Sequence, residues 1–324
     1  MRTQSLHRGG SLTALGFGGA QLGNLYTPID DDQARAAVDA AWDGGVRYYD
    51  TAPHYGLGLS ERRLGAALRD RPRDEYVLST KVGRLLVPSP ETAHLQDDDG
   101  FVVPAATRRV FDFSRDGILR SVEASLERLG VDRLDIAYLH DPDEHWAAAS
   151  TTGVDALVEL RDQGVVGAIG AGMNQVAMLT EFVTRCDVDV VMVAGRYTVL
   201  DQSAADTLLP AAAEHGVDVV AAGVYNSGIT STDTVPETAH YDYRDAPTEV
   251  LDRARAIARV CAAHGVELPV AAVQFPFRSA EVRAVVLGMG SVAHVASGLH
   301  RVAADVPDAL WDDLREARLV PAGR

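Results

Sequence analysis

The sequence is poor in cysteine, has fewer basic than acidic residues, and contains no long apolar run. Two cysteines, Cys186 and Cys261, among 324 residues are too few for a disulfide scaffold and predict free thiols. The 46 acidic and 30 basic residues give a net charge of −16, which disfavours nucleic acid and anionic membranes as partners. No segment approaches the roughly 18 apolar residues of a membrane span, and the N-terminal segment has no apolar signal region. We therefore expect a cytoplasmic protein that binds neither nucleic acid nor a membrane.

Short apolar strands alternate with amphipathic helices along the whole chain. The predicted strands are 13–17, 46–49, 76–80, 134–139, 165–169, 188–193, 217–222 and 282–287. The predicted helices are 30–42, a segment capped by Ser60, 114–129, 154–162, 175–185, 204–214, 248–275 with a break near Pro269, 292–302 and 308–318. Eight such units without a break in composition predict an α/β fold, a single (β/α)8 TIM barrel over residues 1–324.

Two connections, 82–113 and 223–247, are too long to be simple links between a strand and a helix. Loops of this length in a compact domain are usually lids, substrate walls or disordered insertions. Each follows the C-terminal end of a predicted strand, and active sites of TIM barrels lie on that face. We therefore expect the active site at the C-terminal face of the strands.

Four ionisable side chains fall at the C-terminal ends of neighbouring predicted strands. Asp50 ends the second strand, Tyr55 follows it in the next loop, Lys81 ends the third strand and His140 ends the fourth. Each residue alone is explained equally well by packing or solvation. Together they predict one catalytic group at the mouth of the barrel.

The chemistry of these four side chains indicates an oxidoreductase. A free tyrosine titrates near pH 10, and a lysine ammonium beside it should lower that pKa. A carboxylate keeps the lysine charged, and a histidine nitrogen can hold a substrate oxygen while a proton and a hydride move. No HExxH or CxxC spacing indicates a metal site, and no GxGxxG or GxxxxGK[ST] motif indicates a Rossmann or P-loop nucleotide site.

The motifs DTAPHYG at 50–56, STK at 79–81, DIAYLHDPD at 135–143 and GAGMN at 170–174 resemble those of the aldo-keto reductase superfamily. The resemblance implies that Tyr55 is the general acid or base, that Lys81 and Asp50 tune it, and that His140 orients the carbonyl or hydroxyl group. It also implies a nicotinamide cofactor, NAD(P), that lies across the C-terminal face of the barrel.

The same resemblance implies a set of cofactor contacts. Asn174 matches the residue that binds the nicotinamide carboxamide, and 286–298 matches a phosphate-binding segment at a helix N-terminus. The expected contacts are Gly18, Gly19, Asp50, Asn174, Tyr197, Gly223, Gly288, Met289, Gly290, Ser291 and His294. His294 aligns with the family's arginine for the 2′-phosphate of NADP(H), which favours NAD over NADP, although Arg301 could compensate.

Further motifs are most similar to a bacterial sugar-dehydrogenase branch of the superfamily. They are HYGLGLSERRLG at 54–65, LHDPDEHW at 139–146 and VYNSGI at 224–229. That branch includes D-threo-aldose 1-dehydrogenases, L-fucose dehydrogenases and the related pyridoxal and L-galactose dehydrogenases. It implies oxidation of the anomeric hydroxyl of an aldose to a lactone, with a small sugar or aldehyde as substrate. The expected substrate contacts are His54, Tyr55, His140, Trp146 and Asn226.

Other functions stay open on the sequence. An NADPH-dependent reductase of aldehydes or ketones, or a pyridoxal dehydrogenase, would use the same four residues. A non-catalytic regulatory subunit that binds the cofactor, as in the potassium-channel β family, would keep the barrel without turnover, and the complete catalytic set argues against it. The oligomeric state is also open.

Overall fold

The computed structural model describes residues 1–8, 10–242 and 244–321. Its centre is a closed barrel of eight parallel strands. The strands are β1 Leu15–Gly18, β2 Tyr48–Asp50, β3 Val77–Val82, β4 Leu134–His140, β5 Val166–Met173, β6 Val190–Ala194, β7 Asp218–Ala222 and β8 Val282–Gly288. Neighbours in sequence pair with each other, and β8 closes the barrel on β1 with Leu287 opposite Phe17. The predicted (β/α)8 TIM barrel is confirmed.

Helices surround the barrel and follow the predicted alternation. They are α1 Asp31–Asp43, α2 Leu59–Leu68, α3 Arg115–Leu129, α4 Val154–Asp162, α5 Val176–Arg185, α6 Leu208–His215, α7 Thr248–Ala263, α8 Leu268–Gln274, α9 Val292–Ala303 and α10 Asp308–Glu316. Asp30 and Ser114 cap α1 and α3 by accepting bonds from the Gln33 and Gly117 amides, at 2.7 and 3.1 Å. The predicted break near Pro269 is confirmed, because α7 and α8 are separate helices.

Two predicted helix starts are wrong. Ser60 does not cap α2: the helix begins at Leu59, and the Ser60 hydroxyl instead donates to the Gly19 carbonyl at 2.6 Å. The predicted helix from residue 204 begins later, because Ser203–Ala205 forms a separate 3₁₀ turn before α6. At α2 the contact of Ser60 with Gly19, which is distant in sequence, replaces the cap, and the local sequence pattern does not reveal it.

The interior of the barrel forms one apolar core, and the layer between strands and helices forms another. An N-terminal hairpin, Thr3–Ser5 paired with Ser11–Thr13, places the fully buried Leu12 in the interior core. The Asp218 carboxylate, at the first position of β7, accepts bonds from the His7 amide and the Arg283 side chain, at 2.7 and 2.6 Å. This hairpin therefore closes the N-terminal end, and the C-terminal end stays open. Both cysteines are free thiols, as predicted.

The two long connections contain structure that the sequence did not predict. Connection 82–113 holds an antiparallel hairpin, Arg84–Pro88 with Thr107–Phe111, and connection 223–247 holds a short ladder, His240–Tyr241 with Arg244–Asp245. Within the described residues no single helix is long and apolar enough to span a membrane. One pair, Thr248–Ala263 with Leu268–Arg278, reaches that length and composition but bends by 100°.

Candidate active site

The four residues of the predicted catalytic group converge at the open mouth of the barrel. Asp50 and His140 are the last residues of β2 and β4, and Lys81 is the penultimate residue of β3. Tyr55 lies in the loop after β2, with its ring perpendicular to the ring of His140 at a centroid distance of 6.1 Å. Parallel strands bring their C-terminal ends to one edge, which is why residues from three strands meet here.

The ammonium group of Lys81 organises this cluster. Its three N–H bonds have three acceptors, namely Asp50 Oδ2 at 2.7 Å, the Thr51 carbonyl at 3.0 Å and the Tyr55 hydroxyl oxygen at 3.1 Å. An ammonium donates and never accepts, so the Tyr55 oxygen is the acceptor in the third bond. The single proton of the Tyr55 hydroxyl is therefore left to point away from Lys81, towards the mouth.

Backbone contacts fix the loop that carries Tyr55. Gly56 has a φ of +61°, and a Cβ atom there would lie 2.3 Å from the Gly23 carbonyl oxygen. Only glycine fits this close approach and this conformation without strain. The Tyr55 amide also donates to the Ala52 carbonyl at 3.1 Å, so the phenol is presented by a rigid turn.

The side of β3 that faces the helices is also held by hydrogen bonds. Side chains alternate along a strand, and Thr80 points outward, where its hydroxyl donates to the Glu61 carboxylate at 2.8 Å. Glu61 is fully buried on α2 and forms an ion pair with Arg128 of α3. This bond holds β3 against the helices directly beside Lys81.

Burial and charge act in opposite directions on the two central groups. Burial would lower the pKa of Lys81, but the Asp50 carboxylate and the Tyr55 oxygen outweigh it and raise the pKa above its usual value. Burial is also the largest effect on Tyr55 and raises its pKa, while Lys81 lowers it. Lys81 therefore lowers the pKa of Tyr55, as expected, but in the protein alone burial outweighs this effect and the pKa lies above its usual value.

His140 is neutral and presents a donor to the mouth. Burial, together with the charges of Arg84 and Lys81, holds the pKa of His140 well below its usual value. Its Nδ1 atom is buried without a hydrogen-bond partner among the described residues. A bare ring nitrogen is less costly there than an unpaired N–H, which favours the tautomer protonated on Nε2. The Nε2–H group can then donate a hydrogen bond to a substrate oxygen.

Charged and polar side chains surround the open side of the site. The Arg84 guanidinium, just beyond β3, forms an ion pair with Asp141 and lies 3.3 Å from His54 Nδ1. Asp141 Oδ2 is also 3.5 Å from His140 Nε2, and its backbone adopts a left-handed φ of +40°. Burial and the positive charge of Arg84 lower the pKa of His54 to about 2, so this imidazole is neutral as well.

Connection 82–113 forms a wall of the site. Phe101 packs against His54 and Tyr55, with ring centroids 5.3 and 6.0 Å away. Arg109 donates to the His54 carbonyl at 2.9 Å and pairs with Asp97, so the wall is tied to the loop of Tyr55. This arrangement fits the predicted substrate wall. Asp97–Asp99 form an acidic cluster in this wall, and Arg109 pairs with Asp97 and Asp99.

Several of the expected cofactor residues lie at the same open end. Asn174 follows β5, and Arg196 holds its backbone by donating to its carbonyl at 3.2 Å. None of the hydrogen bonds among the described residues uses the side-chain amide of Asn174, which leaves both ends of that amide for a ligand. Met289 donates its amide to the Gly18 carbonyl at 3.1 Å, which places the segment after β8 beside β1.

The segment from Gly288 to His294 is a narrow cradle at the start of α9. Ser291 caps the helix by accepting from the His294 amide at 3.2 Å. A Cβ atom at Gly288 would lie 2.5 Å from Gln21 Oε1, and that oxygen is buried without a partner among the described residues. The Gly290 and His294 amides are already bonded, and the other N–H groups of the first turn of α9 are left for an anion.

Two of the expected contact residues point elsewhere. The ring of Tyr197 packs against Phe275 at 5.3 Å, in the shell of helices outside the barrel. Trp146 packs edge-on against Phe182 of α5 at 4.9 Å. Both rings pack against other side chains in the protein alone, and Tyr197 as a cofactor contact and Trp146 as a substrate contact stay predictions.

Asn226 and Gly223 join two loops rather than face the mouth. The Asn226 amide donates to the Gly195 carbonyl at 3.0 Å and its oxygen accepts from Thr198 at 2.7 Å. Gly223 has a φ of +62°, and a Cβ atom there would lie 3.1 Å from the Gly195 amide nitrogen. Asn226 therefore bridges the ends of β6 and β7 in the protein alone, and its expected substrate contact stays a prediction.

Gly18 and Gly19 lie where the cofactor is expected, beside Asp50. A Cβ atom at Gly18 would approach the Leu287 carbonyl to 2.9 Å, and one at Gly19 would approach Ser60 Oγ to 2.8 Å. Glycine at both positions therefore allows β1 and the turn after it to pack closely against β8, Asp50 and Ser60. The sequence did not reveal Arg84 or Phe101, because connection 82–113 has no periodic pattern that gives side-chain directions; the position of Arg84 directly beyond β3 was the available signal.

Comparison with known proteins agrees with this geometry. The sequence model of the Aldo/keto reductase family matches residues 14–318. A D-threo-aldose 1-dehydrogenase from a Pseudomonas species is 49% identical over 96% of this chain and 95% of its own length, and a pyridoxal 4-dehydrogenase from Microbacterium luteolum is 37% identical over the same shares. The holo form of an aldo-keto reductase from Bacillus halodurans superimposes with a TM-score of 0.78 at 25% identity, covering 99% of this chain and 97% of that one. The chain therefore belongs to the aldo/keto reductase family.

Proposed function

We propose that this chain is a dehydrogenase that oxidises the anomeric hydroxyl of an aldose to a lactone with a nicotinamide cofactor. The observation that carries the proposal is the bonding of Tyr55, whose oxygen accepts from Lys81 at 3.1 Å while its own proton faces the mouth beside His140. A phenol held in this way can exchange a proton with a substrate oxygen. Family membership implies the nicotinamide cofactor.

The catalytic roles follow from this arrangement. Tyr55, as the phenolate, accepts the proton of the anomeric hydroxyl, and the Nε2 proton of His140 holds the same oxygen in place. The nicotinamide ring of NAD(P)⁺ supplies the hydride acceptor when bound. Loss of one proton and one hydride leaves the carbonyl of the lactone. Lys81, kept charged by Asp50, stabilises the phenolate form of Tyr55.

The residues at the open end fit a nicotinamide dinucleotide. The unused amide of Asn174 suits the nicotinamide carboxamide, which needs one donor and one acceptor. The cradle of Gly288, Gly290 and Ser291, with the buried and unpartnered Gln21 Oε1 beside it, suits a phosphate group and its hydroxyl neighbours. These residues would hold the cofactor across the strand ends, and Gly18 and Gly19 would border it near Asp50.

Charge near the cradle favours NAD over NADP. His294 is the ionisable residue in the first turn of α9, and its Nδ1 atom accepts from the Gly290 amide at 3.3 Å. Arg301 lies in the last turn of α9 and donates to the Tyr225 hydroxyl at 2.7 Å, so it does not supply the missing cation. Gln33, which donates to the Gly290 carbonyl at 2.9 Å, directly follows the exposed Asp32, whose charge would repel a 2′-phosphate.

The mouth favours a polyol over an apolar aldehyde. Arg84 lies 3.3 Å from His54 Nδ1 and pairs with Asp141, which in turn is 3.5 Å from His140 Nε2, so donors and acceptors surround His140. Sugar hydroxyls both donate and accept, so they can bond to this group without leaving a buried charge unpaired. The resemblance to the Pseudomonas D-threo-aldose 1-dehydrogenase supports the same substrate class.

A substrate panel tests the proposal. L-fucose, other aldoses and pyridoxal are assayed with NAD⁺ and NADP⁺, and an aromatic aldehyde is assayed with NADPH. We expect the highest kcat/KM for an aldose with NAD⁺, with a lactone as the product identified by mass spectrometry. A higher kcat/KM for the aromatic aldehyde or for pyridoxal would replace the sugar assignment with the corresponding alternative.

A further inference from the structure

The interior of the barrel contains a chain of hydroxyl groups that leads to the catalytic carboxylate. This core is otherwise apolar, formed by residues such as Ile136, Val220 and Val286, yet it holds two fully buried tyrosines, Tyr48 and Tyr138. Their hydroxyl oxygens are 3.3 Å apart. A buried hydroxyl in an apolar core is costly unless it is hydrogen-bonded, so the pair calls for a physical reason.

The series of hydrogen-bonded hydroxyl groups continues from the two tyrosines to Asp50. Tyr48 OH lies 3.2 Å from Ser79 Oγ, and the Ser79 hydroxyl donates to Asp50 Oδ1 at 2.7 Å. The other carboxylate oxygen, Oδ2, accepts from Lys81. Asp50 therefore receives one bond from the lysine of the catalytic group and one from the hydroxyl chain.

Proton counting fixes the direction of every bond. The Asp50 carboxylate can only accept, so the single proton of Ser79 goes to Asp50. Ser79 Oγ is placed to donate either to Tyr48 at 3.2 Å or to Asp50 at 2.7 Å, and the shorter bond to the charged carboxylate takes its one proton. Ser79 then accepts from Tyr48, and Tyr48 accepts from Tyr138. Burial raises the pKa of both tyrosines above the usual value, and the charge of Asp50 raises it further, which keeps both hydroxyls protonated. All three hydroxyl dipoles consequently point their positive ends at Asp50.

The position of these residues in the barrel is regular. Tyr48, Ser79 and Tyr138 lie two positions before Asp50, Lys81 and His140 on β2, β3 and β4, and side chains two apart share a face of a strand. The hydroxyls thus form the layer directly beneath the catalytic layer. Gly16 of β1 makes room for it, because a Cβ atom there would lie 2.7 Å from Tyr48 Cδ1.

We propose that Ser79, Tyr48 and Tyr138 are positioning residues that hold Asp50 in place and reduce its negative potential at Tyr55. The proposal rests on the proposed catalytic role of Tyr55 and Lys81. Asp50 raises the pKa of Tyr55 through its charge, and the aligned dipoles counteract that charge. We call the hydroxyl groups of Ser79, Tyr48 and Tyr138 the relay. Loss of a hydroxyl from the relay therefore makes the Tyr55 phenolate less favourable and raises the pH at which it forms.

The chain offers a direct spectroscopic probe of this effect. Lys81 is the only lysine in the sequence, so ¹³C- and ¹⁵N-labelled lysine gives one side-chain resonance. Its Nζ atom is 3.1 Å from the Tyr55 oxygen, and ionisation of Tyr55 will move that resonance. The titration is recorded on the full chain with NAD⁺ bound, beside the pH profile of aldose oxidation. The Tyr55→Phe variant identifies the step that belongs to Tyr55.

The relay predicts a graded response. Ser79→Ala should raise the midpoint of both titrations by about half a unit to one unit, Tyr48→Phe by less, and Tyr138→Phe by least, because the lost dipole lies farther from Asp50 each time. Tyr49→Phe is the matched control: Tyr49 is also fully buried on β2, but its hydroxyl donates to the Val46 carbonyl at 3.1 Å on the outer face. Its midpoint should equal that of the wild type.

The outcomes separate this proposal from the proposed function. If the three variants lose only thermal stability, as Tyr49→Phe would, and their midpoints do not move, the relay is a packing feature and the proposal fails. Should Ser79→Ala be too unstable to purify, Tyr48→Phe carries the test alone. If instead Tyr55→Phe keeps normal turnover, the catalytic assignment fails, whatever the variants of the relay show.

Discussion

Lys81 donates to the Tyr55 oxygen at 3.1 Å and to Asp50 Oδ2 at 2.7 Å, so one ammonium joins the proposed acid or base to its counter-charge. The side chain is almost fully buried, with 4% of its surface exposed. A buried charge of this kind is stable only with its partner. Chemistry and stability are consequently coupled in the same three residues, and substitutions can separate the two.

Removal of the Tyr55 hydroxyl should abolish turnover without harming the fold. We expect Tyr55→Phe to lower kcat by roughly 10²- to 10⁴-fold, the usual range for loss of a general acid or base. The dissociation constant of NAD⁺, measured by fluorescence titration, should stay within about twofold, since one hydroxyl outside the cradle is lost. Tyr26→Phe, which removes an exposed hydroxyl from a side chain that is 75% accessible, serves as the control. Turnover of Tyr55→Phe within a few-fold of the wild type would rule out Tyr55 as the acid or base.

Removal of the Lys81 charge should affect both stability and pH dependence. Lys81→Met leaves Asp50 buried without its partner, which typically costs about 3–5 kcal/mol of unfolding free energy. The double variant Asp50→Asn with Lys81→Met should recover most of this loss in urea unfolding but no activity. A double variant that regains turnover would show that the ion pair is structural only.

The pH dependence of turnover should also depend on the charge of Lys81. Oxidation needs the phenolate of Tyr55, so its rate should rise with pH up to the pKa of Tyr55, whereas reduction needs the phenol and should fall above it. Lys81 lowers this pKa, and any residual activity of Lys81→Met should therefore have its midpoint at higher pH. A midpoint that moves to lower pH would contradict the role of Lys81.

The sequence predicted that these residues converge because they lie at strand ends, where chain order alone determines position. Asp50, Lys81 and His140 follow alternating apolar strands, and the barrel leaves no other place for them. The directions of Trp146 and Asn226 were not predictable in this way. Their side chains are fixed by contacts with Phe182 and with Thr198, residues that are distant in sequence and reached only through the fold.

Two neutral histidines at the mouth should make the protein acid-sensitive. The pKa of His54 is lowered to about 2 and that of His140 lies well below its usual value, whereas both titrate near 6.5 in the unfolded chain. Below pH 6.5 the unfolded state thus binds more protons, and the free energy of unfolding falls as the pH falls.

Urea unfolding at pH 6.5 and pH 5 measures this dependence. His54→Gln should reduce the loss between these values by roughly 1.5–2 kcal/mol, because one titrating group is removed. His240→Gln, at a histidine whose side chain is 75% exposed, is the control and should behave as the wild type. An equal acid sensitivity in His54→Gln and the wild type would show that His54 is protonated in the folded protein.

The ion pair of Arg84 and Asp141 should determine the preference for sugars. Asp141→Asn keeps the shape of the side chain but removes the charge that pairs with Arg84 and accepts sugar hydroxyls. We expect KM for the aldose to rise by about tenfold, the equivalent of one charge-assisted hydrogen bond. The kcat/KM for a small apolar aldehyde should change little. An equal loss for both substrates would assign Asp141 to the support of His140 rather than to recognition.

Cofactor preference should depend on the first turn of α9. His294 stands where a cation would meet a 2′-phosphate, and Arg301, at the other end of the helix, is bonded to Tyr225 and Ser231. His294→Arg adds a charge-assisted contact, which should raise the ratio of kcat/KM for NADP⁺ over NAD⁺ by about tenfold. His300→Arg places the same change in the last turn of α9 and should leave the ratio unaltered. If both variants leave it unaltered, the 2′-position of the cofactor lies away from His294, and the acidic start of α1 becomes the next place to add a cation.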